Sequence, residues 1–175
     1  STQKLREWCA QHTNFRTIYF RKNAGQTAAM DAGFRHARGK YVVSMDADMQ
    51  NDPADIPKLL EKLNTYDMVG GCRQKRNDPW IKRISSKVAN YIRNKLSRED
   101  IKDIGCSLKA YRRECLDHIK LYNGMHRFLP TLFKMEGFTV TEIVVNHYPR
   151  KFGKSKYGIS NRAFRAFVDL LAVRW

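Results

Sequence analysis

The sequence predicts an α/β fold, and three features carry that expectation. Helix-period and extended patterns alternate along the chain. The extended stretch YVVSM at 41–45 is almost continuously apolar, as in a strand buried within a parallel sheet. It runs straight into acid, DADMQ at 46–50, which places polar chemistry at a strand's carboxyl end, where open α/β sheets hold their ligands.

The elements follow in order. Residues 5–11 read as a short helix and TIYF at 17–20 as a strand, closed by Asn23-Ala24-Gly25. A helix over 26–37 carries small residues on one face and is stopped by Gly39. After the strand at 41–45, Pro53 suits the first turn of a helix reaching about residue 63. DMVGG at 67–71 is extended again. Trp80, Ile81, Ile84, Val88, Ile92 and Leu96 then form a helical stripe, with Lys82, Arg83, Lys87, Arg93 and Lys95 around it. Two readings of that helix stay open, a solvated basic face or a face against anionic headgroups. Strands are expected at 106–111 and 139–145, with a helix at 128–135. Gly153 and Gly158 bracket a Lys-rich loop, and 159–175 sets Phe164, Phe167, Val168, Leu171 and Trp175 on one helical face. No repeat or low-complexity tract suggests a second globular domain.

Composition narrows the partners. The 175 residues suit one domain, and 42% hydrophobic content is ordinary for a globular chain. Lys and Arg total 33 against 17 acidic residues, a net charge of +16 that favours nucleic acid, phospholipid headgroups or phosphorylated substrates. Cys9, Cys72, Cys106 and Cys115 lie far apart with no CxxC pair, which speaks for reduced thiols rather than zinc or a disulfide framework. No run of about 18 apolar residues is long enough to span a bilayer, and sitting on a membrane surface stays compatible with that.

The strongest chemical signal is the pair Asp46 and Asp48. Two carboxylates one residue apart, just past a strand, can face one cavity. With the amide oxygen of Gln50 they offer hard ligands suited to Mg²⁺ or Mn²⁺. A departing nucleoside diphosphate needs such a cation to neutralise its charge. Taken alone, a DxD triplet is weak, and its place between YVVSM and the Pro53 helix strengthens it.

DADMQNDPADIPKLL resembles the metal-binding segment of family 2 glycosyltransferases of GT-A type that act on polyisoprenyl phosphates. RKNAGQTAAMDAGFRHARGKY upstream, and DIGCSLKAYRRE, MHRFLP and PRKFGKSKYGI downstream, resemble further motifs of that family in the same order. The wording is nearest to bacterial undecaprenyl-phosphate glycosyltransferases, with dolichol-phosphate mannose synthases further away. The resemblance implies a Rossmann-like three-layer α/β sandwich and inverting sugar transfer from a nucleotide sugar to a polyisoprenyl phosphate, on the cytoplasmic face of a membrane. It makes Asp48 and Gln50 metal ligands and puts Asp46 on the cation or the ribose. Asn23, Gly25 and Gln26 would line the donor pocket. Arg127, Arg150, Lys151 and Lys156 would gather the acceptor phosphate, and Asp103 would lie near the reaction centre as a base, as an orienter of arginines, or as a structural ion-pair partner.

In the family, strands carrying V-I-P-x-Y-N-E and D-D-G-S motifs precede the matched segments. The expected architecture is therefore a core over 1–158 lacking its first two strands, with incomplete base recognition and little transfer activity alone. Amphipathic membrane-proximal helices would follow, one at 159–175. Two rivals remain at this level: a non-catalytic membrane-associated homologue, and a basic nucleic-acid-binding module. The second lacks the interleaved aromatic and basic residues or the recognition helix it would need.

Overall fold

The computed structural model describes residues 2–73 and 101–149. The expected helices at 81–96 and 159–175, and the basic loop carrying Arg150, Lys151 and Lys156, lie outside the described residues. The chain begins with α1 (Thr2–Gln11) and α2 (Gly25–His36), then β1 (Tyr41–Ser44). A 3-10 turn at Pro53–Asp55 leads into α3 (Ile56–Lys62) and β2 (Met68–Arg73). After the gap come β3 (Lys109–Arg112), α4 (Arg113–Leu116), a 3-10 turn at Met125–Phe128, α5 (Leu129–Met135) and β4 (Val140–Val145).

The four strands form one mixed sheet in the order β1-β3-β2-β4. β3 is antiparallel to both its neighbours, while β2 and β4 are parallel. Consequently β1, β2 and β4 all point the same way, and their carboxyl ends share an edge with the amino end of β3. Side chains alternate across the sheet. Val43, Ala110 and Val69 pack with Leu59 and Leu63 of α3 on one face. Val42, Tyr111, Met68 and Val140 pack with Met30 and Phe34 of α2 and Leu129 and Phe133 of α5 on the other. The result is the three-layer α/β sandwich expected from the sequence.

Three local expectations are corrected. TIYF at 17–20 forms no strand, because no neighbouring strand supplies a ladder to it among the described residues; Ile18, Tyr19 and Phe20 are more than 40% exposed, at 42%, 46% and 46%. β1 is not a doubly covered parallel strand. Its one described neighbour is antiparallel, it stands at the sheet margin, and all four of its residues are half-buried. Third, the extended stretch foreseen at 106–111 begins only at Lys109, since residues 103–107 are spent on a turn closed by the Cys106 amide donating to the Asp103 carbonyl at 3.3 Å.

Candidate active site at the carboxyl edge of the sheet

Strand direction brings the chemistry to one edge. β1 delivers the DADMQ loop, β2 ends on Arg73, β4 leads into Asn146 to Tyr148, and β3 starts from the turn at 103–107. The amino end of α2 lies there too, for Gln26 donates from Nε2 to Asp46 Oδ1 at 3.4 Å.

The carboxylate loop is held at both ends and in its middle. Ser44 Oγ donates to the Ser107 carbonyl at 3.0 Å, and Asn51 Nδ2 donates to Ser107 Oγ at 2.8 Å. Between them Met49 adopts φ 62°, a left-handed conformation that costs a side-chain-bearing residue roughly 1–2 kcal/mol. That turn lets the Gln50 amide donate to Asp48 Oδ1 at 3.2 Å. Gln50 is further clasped by Tyr148, whose N–H donates to the Gln50 carbonyl at 2.8 Å while Gln50 Nε2 donates to the Tyr148 carbonyl at 3.2 Å. Tyr148 Oη donates to Asp52 at 2.9 Å. The Asp52 carboxyl is held below its usual range, first by the Ala54 amide and then by this hydroxyl. A cleft of about 380 Å³ opens over the loop, lined by Asp46, Met49, Asn51, Asp52 and Tyr148. A hollow of about 410 Å³ at the opposite sheet edge lies among Lys40, Tyr41, Asn64 and Arg112. The guanidinium of Arg112 there is committed to the Leu63 and Asn64 carbonyls, so the larger hollow is not the better site.

Asp46 is exposed and lines that cleft, whereas Asp48 and Gln50 are half-buried and are not among its lining residues. Among the described residues no three His, Cys, Asp or Glu side chains converge on a metal position. Two carboxylates and an amide oxygen nevertheless fit Mg²⁺ or Mn²⁺ bound together with a diphosphate, since such ions use one or two carboxylates and complete their shell from phosphate and water.

The residues expected to line the donor pocket, and Arg127, expected at the acceptor phosphate, are linked through α2. Asn23 Oδ1 accepts from the Gly25 amide at 3.0 Å, and Gly25 opens the helix at φ +85°, where a Cβ would be strained. Two positions on, the buried Thr27 hydroxyl accepts from the Gly124 amide at 3.0 Å and bonds His126 Nδ1 at 2.7 Å. This ties the amino end of α2 to the 3-10 turn bearing Arg127, which is half-buried. Thr27 and His126 were not singled out by sequence; only their position inside two of the motifs hinted at them.

Asp103 is 7% exposed and its carboxylate grips Arg73, accepting from Nε at 2.7 Å, from Nη2 at 2.8 Å and from the backbone amide at 3.2 Å. The Glu142 carboxylate in turn accepts from the amides of Lys102 and Asp103 at 2.7 and 2.9 Å. Arg73, Glu142 and Ser107 escaped the sequence reading because their roles depend on contacts across the sheet.

Residues 1–120 match the family model for glycosyl transferase family 2. The dodecaprenyl-phosphate galacturonate synthase of Rhizobium johnstonii is 41% identical over 163 residues, which is 90% of this chain and 48% of that protein. The chain thus spans about half the length of that curated relative. Among solved structures, glucosyl-3-phosphoglycerate synthase from Mycobacterium tuberculosis in complex with phosphoglyceric acid has a TM-score of 0.66 at 16% identity, covering 89% of this chain and 56% of that one. The same enzyme with Mn²⁺, uridine-diphosphate-glucose and phosphoglyceric acid gives 0.63 at 16% identity, covering 90% and 56%. These two likenesses establish the α/β fold.

Proposed function

The chain belongs to glycosyl transferase family 2, and from that premise we propose that it moves a sugar from a nucleotide sugar to a polyisoprenyl phosphate at a membrane surface. The observation that carries this reading is the DADMQ loop, pinned by Ser107 and Tyr148 at the edge where three strands end. The likeness to a dodecaprenyl-phosphate galacturonate synthase supports a polyprenyl phosphate, undecaprenyl phosphate or a near relative, as acceptor.

In the proposed reaction a phosphate oxygen of the acceptor attacks the anomeric carbon from one face. The bond from that carbon to the diphosphate breaks on the other face, so configuration inverts. Mg²⁺ or Mn²⁺, held by Asp48 and Gln50 with Asp46 on the cation or the ribose, would supply charge neutralisation for the diphosphate. Asn23, Gly25 and Gln26 border the donor. Arg127, Arg150, Lys151 and Lys156 align the acceptor phosphate by charge and hydrogen bonds. A phosphate monoester has a second pKa near 6 and is already ionised at neutral pH, so alignment matters more than deprotonation. Asp103, with both oxygens on Arg73, suits orienting an arginine better than taking a proton.

The segments at 81–96 and 159–175 would rest on anionic lipid at the cytoplasmic face, the second as a unit following the 1–158 core. Calorimetry tests the metal site. Mn²⁺ should strengthen uridine or guanosine diphosphate binding by about tenfold or more, a difference of about 1.4 kcal/mol. Asp48→Asn should abolish that enhancement, and equal enhancement in the variant would remove Asp48 from the site.

A further inference from the structure

Lys109 opens β3 and is only 4% exposed, an unusual place for a lysine. Its neighbours across the ladder, Ser44 and Gly70, are both small. Nζ donates to the Ile104 carbonyl at 3.1 Å and to the Cys106 carbonyl. Burial lowers its pKa, while the charges of Asp103 and Asp46 pull the other way and Arg73 adds to the lowering. A leucine could fill such a position in a strand; only a long donor can hold two carbonyls of one turn.

That turn is the hub of the edge. Through Asp103 it grips Arg73, and through Ser107 it grips the residues flanking the carboxylate loop. Glu142 fixes its entry from β4. Lys109 secures it from inside the sheet. Nothing else in the site binds the carbonyls on either side of Gly105 from that direction in the described hydrogen bonds.

We propose that Lys109 is a positioning residue: its buried amino group fixes the 103–107 turn, and the turn in turn sets where the Asp46–Asp48 loop stands relative to Arg73. The inference rests on the metal-and-diphosphate reading of that loop. The proposed action of Lys109 runs through the turn, beside the direct electrostatic influence between Lys109 and Asp46.

The test is a double-mutant cycle on Mn²⁺-dependent binding of uridine diphosphate, measured by calorimetry. Lys109→Met keeps an unbranched side chain as far as Cε and removes the donor. It should weaken binding about tenfold, and Ser107→Ala should weaken it by several-fold. The double variant should bind no worse than Lys109→Met alone, because both changes release the same loop. Leu59→Ala, which damages the core from the α3 side, controls for lost stability and should leave binding within twofold. The bound Mn²⁺ electron paramagnetic resonance spectrum should change in Lys109→Met and not in Leu59→Ala. Should Lys109→Met not fold, Lys109→Gln, which retains an amide donor, is judged by the same criteria at a smaller loss. Binding within twofold of the parent protein, or losses that multiply in the double variant, would overturn the proposal. If Asp48→Asn also leaves the Mn²⁺ dependence unchanged, the wider reading fails and this inference with it; if Asp48→Asn abolishes it while the Lys109 variants bind normally, only the role of Lys109 fails.

Discussion

At the scale of single residues, burial controls the chemistry of the thiols. Cys106 and Cys115 are 1% and 3% exposed, and burial is the first cause raising both pKa values, that of Cys115 to about 11. The thiolate is the reactive form, so neither should be alkylated by a maleimide at pH 8 in the native protein. Both should react once denaturant exposes them. The unfolded thiol of Cys115 ionises first, near 9.0, so its contribution to stability is intact below that pH and drains as pH climbs toward about 11. Native-state labelling at the rate of a free thiol would contradict this packing. The wide spacing of the four cysteines led to an expectation of reduced thiols, and no disulfide joins them among the described residues. The carboxylates of DADMQ were legible for a different reason, since their spacing is local and their strand precedes them directly. Asp103 could be picked out as a candidate from its motif, but not its partner, which lies thirty positions earlier.

At the scale of elements, β2 carries two adjacent glycines of which only one is sterically required. A Cβ on Gly71 would meet Val145 Cγ2 at 2.8 Å, Cys106 Sγ at 2.9 Å and the Leu108 carbonyl at 3.0 Å. On Gly70 it would meet nothing closer than Glu142 Cγ at 3.6 Å. Overpacking of this kind costs about 1–3 kcal/mol. Urea unfolding should therefore find Gly71→Ala destabilised by that amount, and Gly70→Ala within about 0.5 kcal/mol of the parent. Equal effects at the two positions would mean that the β2–β4 register is wrong. The helices at 26–37 and 128–135 and the strands at 67–71 and 139–145 were readable within a residue or two, because each has its own period and its own stop signal. TIYF has the composition of a strand, yet strand formation depends on a partner that local sequence cannot supply. Strand direction is equally non-local. YVVSM looks the same whether its neighbour runs parallel or antiparallel, and only the pairing of Val42 with Tyr111 and Val43 with Ala110 decides it.

At the scale of the whole molecule, the sandwich converts strand direction into a site. Because β1, β2 and β4 run together and β3 runs back, the acid loop, Arg73, the 103–107 turn and Tyr148 all collect at one edge. The net charge of +16 favours association with anionic partners, in keeping with the proposed phosphorylated acceptor. The most direct measurement is sugar transfer by the complete protein from radiolabelled nucleotide sugars to undecaprenyl phosphate in vesicles. The account predicts a labelled lipid product that requires Mg²⁺ or Mn²⁺, is lost in Asp48→Asn, and forms faster in phosphatidylglycerol than in phosphatidylcholine vesicles. No labelled lipid from any nucleotide sugar offered, or transfer indifferent to both metal and Asp48, would contradict it.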